Sequence, residues 1–467
     1  MSEAVTTRQQ ELAGKYRPYP EYKDSGVEWL GVIPTHWSLH ALKRTVSDCS
    51  NGIWGDEPNG ESDLIVLRVA DFDRNKLTIS DDKLTYRSIS ERERKTRLLK
   101  KGDLLIEKSG GGEKTLVGCV VIFDKEYSAV TSNFVAKMSP RKAYCSNFLN
   151  YAFSHLYAGR VNYPSIKQTT GIQNLDSDSY LMEHFCFPDS SEQQTIAAFL
   201  DYETTRIDRL IAQQQRLIEL LKEKRQAVVS HAVTKGINPD APMKDSGVEW
   251  LGQVPEHWVV TKVKDATYRI VDGPHFSPKY QDEGYMFISA RNIKVDRWSL
   301  DDAKYVSESD FLEFNKRVKP ESGDVLLTKG GTTGIARVVD LDFPFQVWVH
   351  VAVLKTNKRK VNPFYLAYTL NSKSGYEQSQ LYTRGATNND LGLSRIANIY
   401  FAAPKIQEQE EIVSWLDAAS SKLDYLCNKA ECSMELLQER RTALISAAVT
   451  GKIDLRGWTP PAEEVAA

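Results

Sequence analysis

The chain has 467 residues, with 60 Lys and Arg against 62 Asp and Glu, 41% hydrophobic and 26% charged residues. This composition excludes whole-chain disorder, and the length calls for two to four domains, each able to bury a core of its own. A net charge of −2 provides no overall attraction to nucleic acid, so an argument for such a partner rests on local charge.

The start, MSEAVTTRQQELAGK, lacks the apolar core of a secretory signal, and no apolar run approaches the roughly 18–20 residues of a membrane span. The expected location is cytoplasmic. Six cysteines (49, 119, 145, 186, 427 and 432) form no C-x-x-C pair, which points to neither a zinc site nor a disulfide framework.

In chain order, the first landmark is YKDSGVEWLGVIPTHW at 22–37, which returns as MKDSGVEWLGQVPEHW at 243–258 with twelve of sixteen positions identical, at an offset of 221. A second repeat pairs 188–237 with 404–453 at an offset of 216. It opens on PDSSEQQTIAAFLD and PKIQEQEEIVSWLD and closes on KRQAVVSHAVTKGI and RRTALISAAVTGKI. Two copies of about 220 residues are too long and too few for a solenoid, whose repeats run to roughly 20–50 residues. The borders agree and the interiors diverge, as in two similar sockets holding different inserts.

The interiors are mixed and strand-rich. LIVLRVADF, GDLLIEKS, LVGCVVIFD and VWVHVAVLKT are short β-branched runs, whereas NFLNYAFSHLY and PFYLAYTLNS have helical spacing. From Tyr127 to Leu175 there is no acidic residue but there are Lys137, Arg141, Lys142, Arg160 and Lys167. From Phe343 to Tyr376 acid is again absent, with Lys355, Lys358, Arg359, Lys360 and Lys373. Basic stretches at matching places suggest a phosphate-facing surface on each copy. The tyrosines among them (151, 157 and 163; 365, 368 and 376) read mainly as core. Polar loops follow, KQTTGIQNL (167–175) and TRGATNNDL (383–391). Gln and Asn can bond adenine at two points and Arg or Lys guanine. The candidate DNA contacts are therefore Lys108, Arg160, Lys167, Thr170 and Gln173 in the first copy, and Arg291, Lys329, Arg384, Asn388 and Asn389 in the second.

Each copy ends in an expected helix, 189–237 and 405–453. Asp189 with Glu192 fits a capping box, and Gly236 and Gly451 fit helix stops. Leu200, Ile207, Leu221 and Val228 lie on one seven-residue register, as do Leu416, Leu423, Leu437 and Leu444. Arg225 and Arg441 interrupt the companion register at equivalent places. Such helices run about 65–70 Å and need a partner, which the same chain supplies as an antiparallel coiled-coil pair.

Catalytic motifs are not found. KSGGGEKT (108–115) and GGTTG (330–334) lack phosphate-loop spacing and read as tight turns. Asp103, Glu107 and Lys108 have the residue types of a metal-dependent nuclease, but the second copy has Thr328 in place of Glu107. NPFY (362–365) lacks the second proline of the amino-methyltransferase motif.

The doubled KDSGVEWLG…P-x-HW segment, the doubled P…EQ…I…LD helix ending in AVT, NGIWGDEPNGESDLIVLRVADF (51–72) and DGPHFSPKY…EGYMFISARNI (272–293) resemble the specificity subunit of type I restriction–modification systems, over 22–453. The resemblance implies an α+β protein in which two tandem target-recognition domains (22–188 and, with a linker, 238–404) are joined pseudo-two-fold by the spacer helices 189–237 and 405–453. Segments 1–21 and 454–467 are extensions. On this resemblance each domain would read one half of a bipartite, asymmetric site in double-stranded DNA. The helices would set the spacer and dock two modification (methyltransferase) subunits, which would carry S-adenosylmethionine. Separate restriction (motor–nuclease) subunits would use ATP and Mg, and this chain would be non-catalytic, with no cofactor of its own. The alternatives are a specificity subunit serving a fused methylase–nuclease of another restriction type, and a coiled-coil adaptor that does not bind DNA.

Overall fold

Short β-branched segments bounded by glycine and aspartate fold as strands, and the two heptad-patterned segments fold as long helices. In this computed structural model residues 16–111, 115–169, 171–276, 278–384 and 390–461 are described. The chain divides into unit 1, residues 1–214 with 432–467, and unit 2, residues 215–431.

Unit 1 is built on a four-stranded antiparallel sheet of β1 (Val46–Asn51), β2 (Leu104–Glu107), β3 (Val120–Ile122) and β4 (Val135–Pro140), in the order β3-β2-β4-β1. A second sheet pairs Asp63–Leu67 with Thr85–Ser88 and, in parallel, with Ala129–Thr131. Helix α1 (Ser146–Ala158) buries Phe148, Leu149, Ala152, Phe153 and Leu156 in the core. Helix α2 (Ser190–Lys235) follows. Unit 2 repeats the plan with β5 (Thr267–Asp272), β6 (Val325–Thr328), β7 (Ala336–Val338) and β8 (Val351–Thr356), in the order β5-β8-β6-β7. Helix α3 (Pro363–Asn371) and the long helix α4 (Ile406–Val449) follow.

Two expected strands are interrupted. VWVHVAVLKT is split into Phe345–Val347 and β8, which belong to different sheets; the amide of Val351 bonds the Trp348 carbonyl in the turn between them. LIVLRVADF turns after Leu67, where the Asp71 carboxylate takes the Arg68 amide at 2.8 Å.

The long helices bury most of the expected register positions, with Leu200, Ile207, Leu416 and Leu444 all at most 2% exposed, while Val228 and Leu437 are partly buried. In unit 1 Ile196–Leu200 share a core with Ala443–Val449, and Asp208 pairs with Arg441 at 3.4 Å. In unit 2 Val229–Val233 share a core with Ile412–Leu416, and Arg225 pairs with Asp424 at 2.7 Å. As one helix advances the other recedes, so within each unit the segments are antiparallel. The two arginines that break the register thus occupy equivalent positions in equivalent ion pairs.

The same exchange explains the conserved borders of the repeat. Glu192, near the start of α2, accepts from the Tyr19 hydroxyl (2.6 Å) and Trp37 Nε1 (3.3 Å) and pairs with His36 Nε2 (2.9 Å). Glu408 does the same for Trp258 Nε1 (2.9 Å) and His257 Nε2 (2.8 Å). The capping box is therefore only half formed. Asp189 accepts the Glu192 amide at 2.9 Å, while the Glu192 carboxylate is engaged by Tyr19, His36 and Trp37. The adjacent glutamines cap the next elements, Gln193 Oε1 taking the Cys145 amide and Gln409 Oε1 the Asn362 amide. Each unit is closed by the end of the helix from the other repeat. Gly451, at φ +69°, lies against Pro34 and Trp37, and Gly236, at φ +76°, against Trp258. The N-terminal Tyr19 and the C-terminal Leu455 both lie in the core of unit 1, so the parts of the extensions that are described belong to that unit.

Candidate nucleic-acid interface

In each unit the ends of the four-stranded sheet and the turn between the two sheets converge on one lysine. In unit 1 the Lys108 amide donates to the Phe134 carbonyl (2.8 Å), the Leu175 amide donates to the Lys108 carbonyl (2.7 Å), and Lys108 Nζ reaches Asn51 Oδ1 at 2.9 Å. In unit 2 the Lys329 amide donates to the His350 carbonyl (2.8 Å) and the Leu391 amide to the Lys329 carbonyl (2.7 Å). Asp272 takes the place of Asn51 and Asp390 that of Asn174. The frame is the same, and the chemistry on it differs.

The first frame is largely neutral around its lysine, with Ser109 Oγ donating to Asn174 Oδ1 at 2.6 Å. The second is ionic. Lys329, 7% exposed, lies 3.5 Å from Asp272 and 3.1 Å from Asp390. Asp272 also pairs with Arg317 and with His275 at 3.3 Å. Burial pushes the Asp272 carboxyl up, but the hydrogen bonds from Arg317 and His275 and the Lys329 charge outweigh it and hold it below the usual carboxylate range. Burial, with Lys329 alongside, lowers the His350 imidazole.

Close backbone approach holds both frames together. Gly52 and Gly273, at the repeat offset of 221 and each following the residue that faces the lysine, would place a Cβ 2.1 Å from the Thr131 carbonyl oxygen and 2.0 Å from that of Val347. Among the described residues these glycines, Asn51, Asp272 and Asp390 were missed by the sequence reading. The doubled glycine was the available signal; the two aspartates approach Lys329 from segments 118 positions apart, a proximity that spacing does not reveal.

The sequence candidates separate into distinct groups. Arg160 is exposed at φ +56°, and Arg291 and Arg384 are exposed. Lys167 is exposed and pairs with Asp176 at 2.8 Å. Lys108 is partly exposed at the frame. Two candidates are enclosed by the fold. Lys329 is a buried ion-paired cation, because acids distant in sequence fold around it. Gln173 is 4% exposed and accepts the Val117 amide at 3.2 Å, because the alternation of its strand, Ile172–Leu175, turns it inward. Thr170, Asn388 and Asn389 lie outside the described residues.

The acid-free stretches are likewise not continuous cationic surfaces. Lys355 is 6% exposed and paired with Asp324 (2.7 Å) and Glu321 (2.9 Å), and Arg141 Nε bonds the Val46 carbonyl. Of the interleaved tyrosines, Tyr151 and Tyr365 are core, while Tyr163 and Tyr376 are exposed. Glu107, 1% exposed, is paired with Arg74 at 2.7 Å, which accounts for a carboxylate beside Lys108 without a metal. No group of His, Cys, Asp and Glu suited to a metal occurs among the described residues, and no described helix is long and apolar enough to cross a membrane.

Residues 255–429 match the family model described as the type I restriction modification DNA specificity domain. The chain is 22% identical over 443 residues to a putative type I restriction enzyme MjaX specificity subunit of Methanocaldococcus jannaschii, covering 91% of this chain and 96% of that protein. It is 20% identical to the type I restriction enzyme EcoKI specificity subunit of Escherichia coli, covering 91% and 90%. A solved chain from work on complex assembly and conformational transition of the type I R-M system superposes with a TM-score of 0.66 at 14% identity, over 89% of this chain and 98% of that one. The doubled frame, the antiparallel helix segments and these likenesses agree: the chain is similar along most of its length to type I restriction–modification specificity subunits, and residues 255–429 match their DNA specificity domain.

Proposed function

We propose that each unit reads one half of a bipartite, asymmetric site in double-stranded DNA, that α2 and α4 set the spacing of the halves, and that the chain carries this specificity to two methyltransferase subunits and, through them, to restriction subunits. S-adenosylmethionine, ATP and Mg belong to those partners. The observation that carries the reading is the frame around Lys108 and Lys329: one scaffold used twice, with different side chains presented on it. Two different readers on equal scaffolds recognise a non-palindromic site. Mapping methylated adenines in cells that hold this chain and its methyltransferase tests this; a palindromic motif, or no motif, contradicts it.

Phosphate contacts are assigned to exposed cations beside the frame, Lys167 in unit 1 and Arg384 in unit 2. Lys167→Ala and Arg384→Ala should each weaken binding to all sequences alike and flatten the salt dependence by about one charge. Unchanged salt slopes in both would remove these residues from the interface. Gln173, being buried, is assigned a positioning role under the loop.

The spacing role has its own test. α2 passes from unit 1 to unit 2 at Gln214–Gln215. Four residues added there lengthen the helix by roughly 6 Å, on the order of one to two base pairs at ~3.4 Å each. The insertion is a stutter that locally unwinds a heptad seam without breaking it. Both half-sites should keep their sequences while the unread gap grows. An altered half-site with an unchanged gap would refute the role.

A further inference from the structure

Beside Lys108, unit 1 has a cleft of about 300 Å³ whose apolar lining is Trp54, Val69, Ala70, Phe134 and Ile172, with Arg68, Ser109, Ser132 and the backbone of Gly110 and Gly111 completing it. Trp54, Phe134 and Ile172 are 37%, 49% and 54% exposed. Large apolar side chains this accessible, grouped beside a polar frame, call for a partner. They are not demanded by the fold. Trp54 stands two residues past Gly52, and His275 two past Gly273. Phe134 holds the Lys108 amide with its carbonyl, and His350 holds the Lys329 amide in the same way. Ala70 sits in the turn Val69–Asp71, and Arg291 in the matching turn Ala290–Asn292. At these three positions unit 1 is apolar where unit 2 is basic or imidazole. Trp348, in the same turn as His350, packs against the separate cluster of Phe287 and Phe314.

The cleft is also built to stay open. The Arg87 guanidinium lies 4.6 Å from the Trp54 ring centroid and is itself paired with Glu57, which fixes the indole instead of letting it fold onto Phe134. The polar rim belongs to the frame, with Asn51, Lys108 and the Ser109–Asn174 pair. An apolar notch within a rim of hydrogen-bonding groups and a cation matches one feature of a duplex edge. In the major groove, thymine alone presents a methyl group, flanked by acceptors and donors and bordered by phosphates.

We propose that Trp54, Phe134 and Ile172 form a thymine-methyl pocket that determines specificity at one A·T pair of the half-site read by unit 1, whereas unit 2 reads its half through charged and imidazole groups. This deepens the DNA-reading function proposed above and rests on it. Cytosine at that position is disfavoured because it lacks the C5 methyl that would fill the pocket.

Deoxyuridine provides the test, since it keeps the pairing of thymine and lacks only the methyl. The full chain assembled with its methyltransferase is titrated with duplexes carrying the mapped site, each thymine of both halves being replaced singly. One replacement in the unit 1 half should weaken binding about fourfold, the worth of roughly one buried methyl. Phe134→Ala and Ile172→Ala should each bind the thymine duplex more weakly and lose most of that discrimination, while the unit 2 half is read as before. Both residues are half exposed, so retained reading of the second half reports a folded chain. Sequence-specific binding with no deoxyuridine effect in the unit 1 half, or an effect undiminished in both variants, would overturn the pocket and leave the DNA-reading function standing. Absence of any sequence-specific binding would overturn both.

Discussion

Alanine at Trp258 is expected to destabilise unit 2 by about 3–5 kcal/mol, the range for removing a buried aromatic. The indole is fully buried, donates to Glu408 at 2.9 Å, contacts Tyr365 edge-on and lies under Gly236, where α2 ends. Its loss opens a cavity and removes a donor from Glu408 where the opening segment of the second repeat meets its closing helix. Because the chain has two units, one unfolding midpoint does not isolate the effect. Hydrogen exchange does: protection in β6 should fall while β2 of unit 1 keeps its own. Trp37→Ala should show the converse, through Glu192. Trp258→Phe should lose less, since it keeps most of the ring and forfeits mainly the hydrogen bond. Equal protection of β6 in the wild type and Trp258→Ala would mean that this junction does not hold the unit together.

Alanine at Gly52 or Gly273 should have the largest effect on recognition. A methyl group about 2 Å from a backbone carbonyl oxygen cannot be absorbed by a side-chain rotation. The loop must leave the turn at Thr131 or Val347, at a cost of roughly 1–3 kcal/mol or more, and it takes Asn51 or Asp272 away from its lysine. We expect each substitution to reduce affinity for the complete site about tenfold or more, tenfold being ~1.4 kcal/mol. The defect should map to one half: Gly52→Ala should relax selection in the half read by unit 1, and Gly273→Ala in the other. Gly457→Ala, with nothing within 4 Å of the added Cβ, is the matched control. Randomised-site selection on the three variants checks this, and unaltered selection in both halves would detach the glycines from reading.

Asp272 illustrates how the site departs from its sequence. As part of DGPHFSPKY it was legible as belonging to a characteristic segment, and nothing around it in the chain identifies Lys329, Arg317 and His275 as its partners. Conversely Lys329, read from its neighbours, is a free cation in a glycine-rich turn. Buried ionic groups need opposite charges close by, and here those come from strands and loops far apart in sequence. Gln173 shows the same limit for exposure. A polar residue in a polar loop reads as surface, but strand alternation is a local period whose phase is set by which face packs. Phe134 and Tyr163, exposed among basic residues, show a further limit, since composition cannot separate an aromatic residue that packs from one that is presented.

By itself the sequence determined the twofold plan, the long helices with their registers and glycine stops, the strand-rich interiors and the family resemblance. These are properties carried by local period, by short capping interactions and by repetition, all of which survive in a one-dimensional record. Only the tertiary structure decided that each unit is closed by the helix end of the other repeat, that Glu192 and Glu408 serve His36–Trp37 and His257–Trp258 instead of completing a helix cap, and which cations stay exposed around each frame. Those outcomes depend on long-range burial, where the cost of desolvating a charge or leaving a donor unpaired selects the partner, and that selection is made in space between residues the chain keeps far apart.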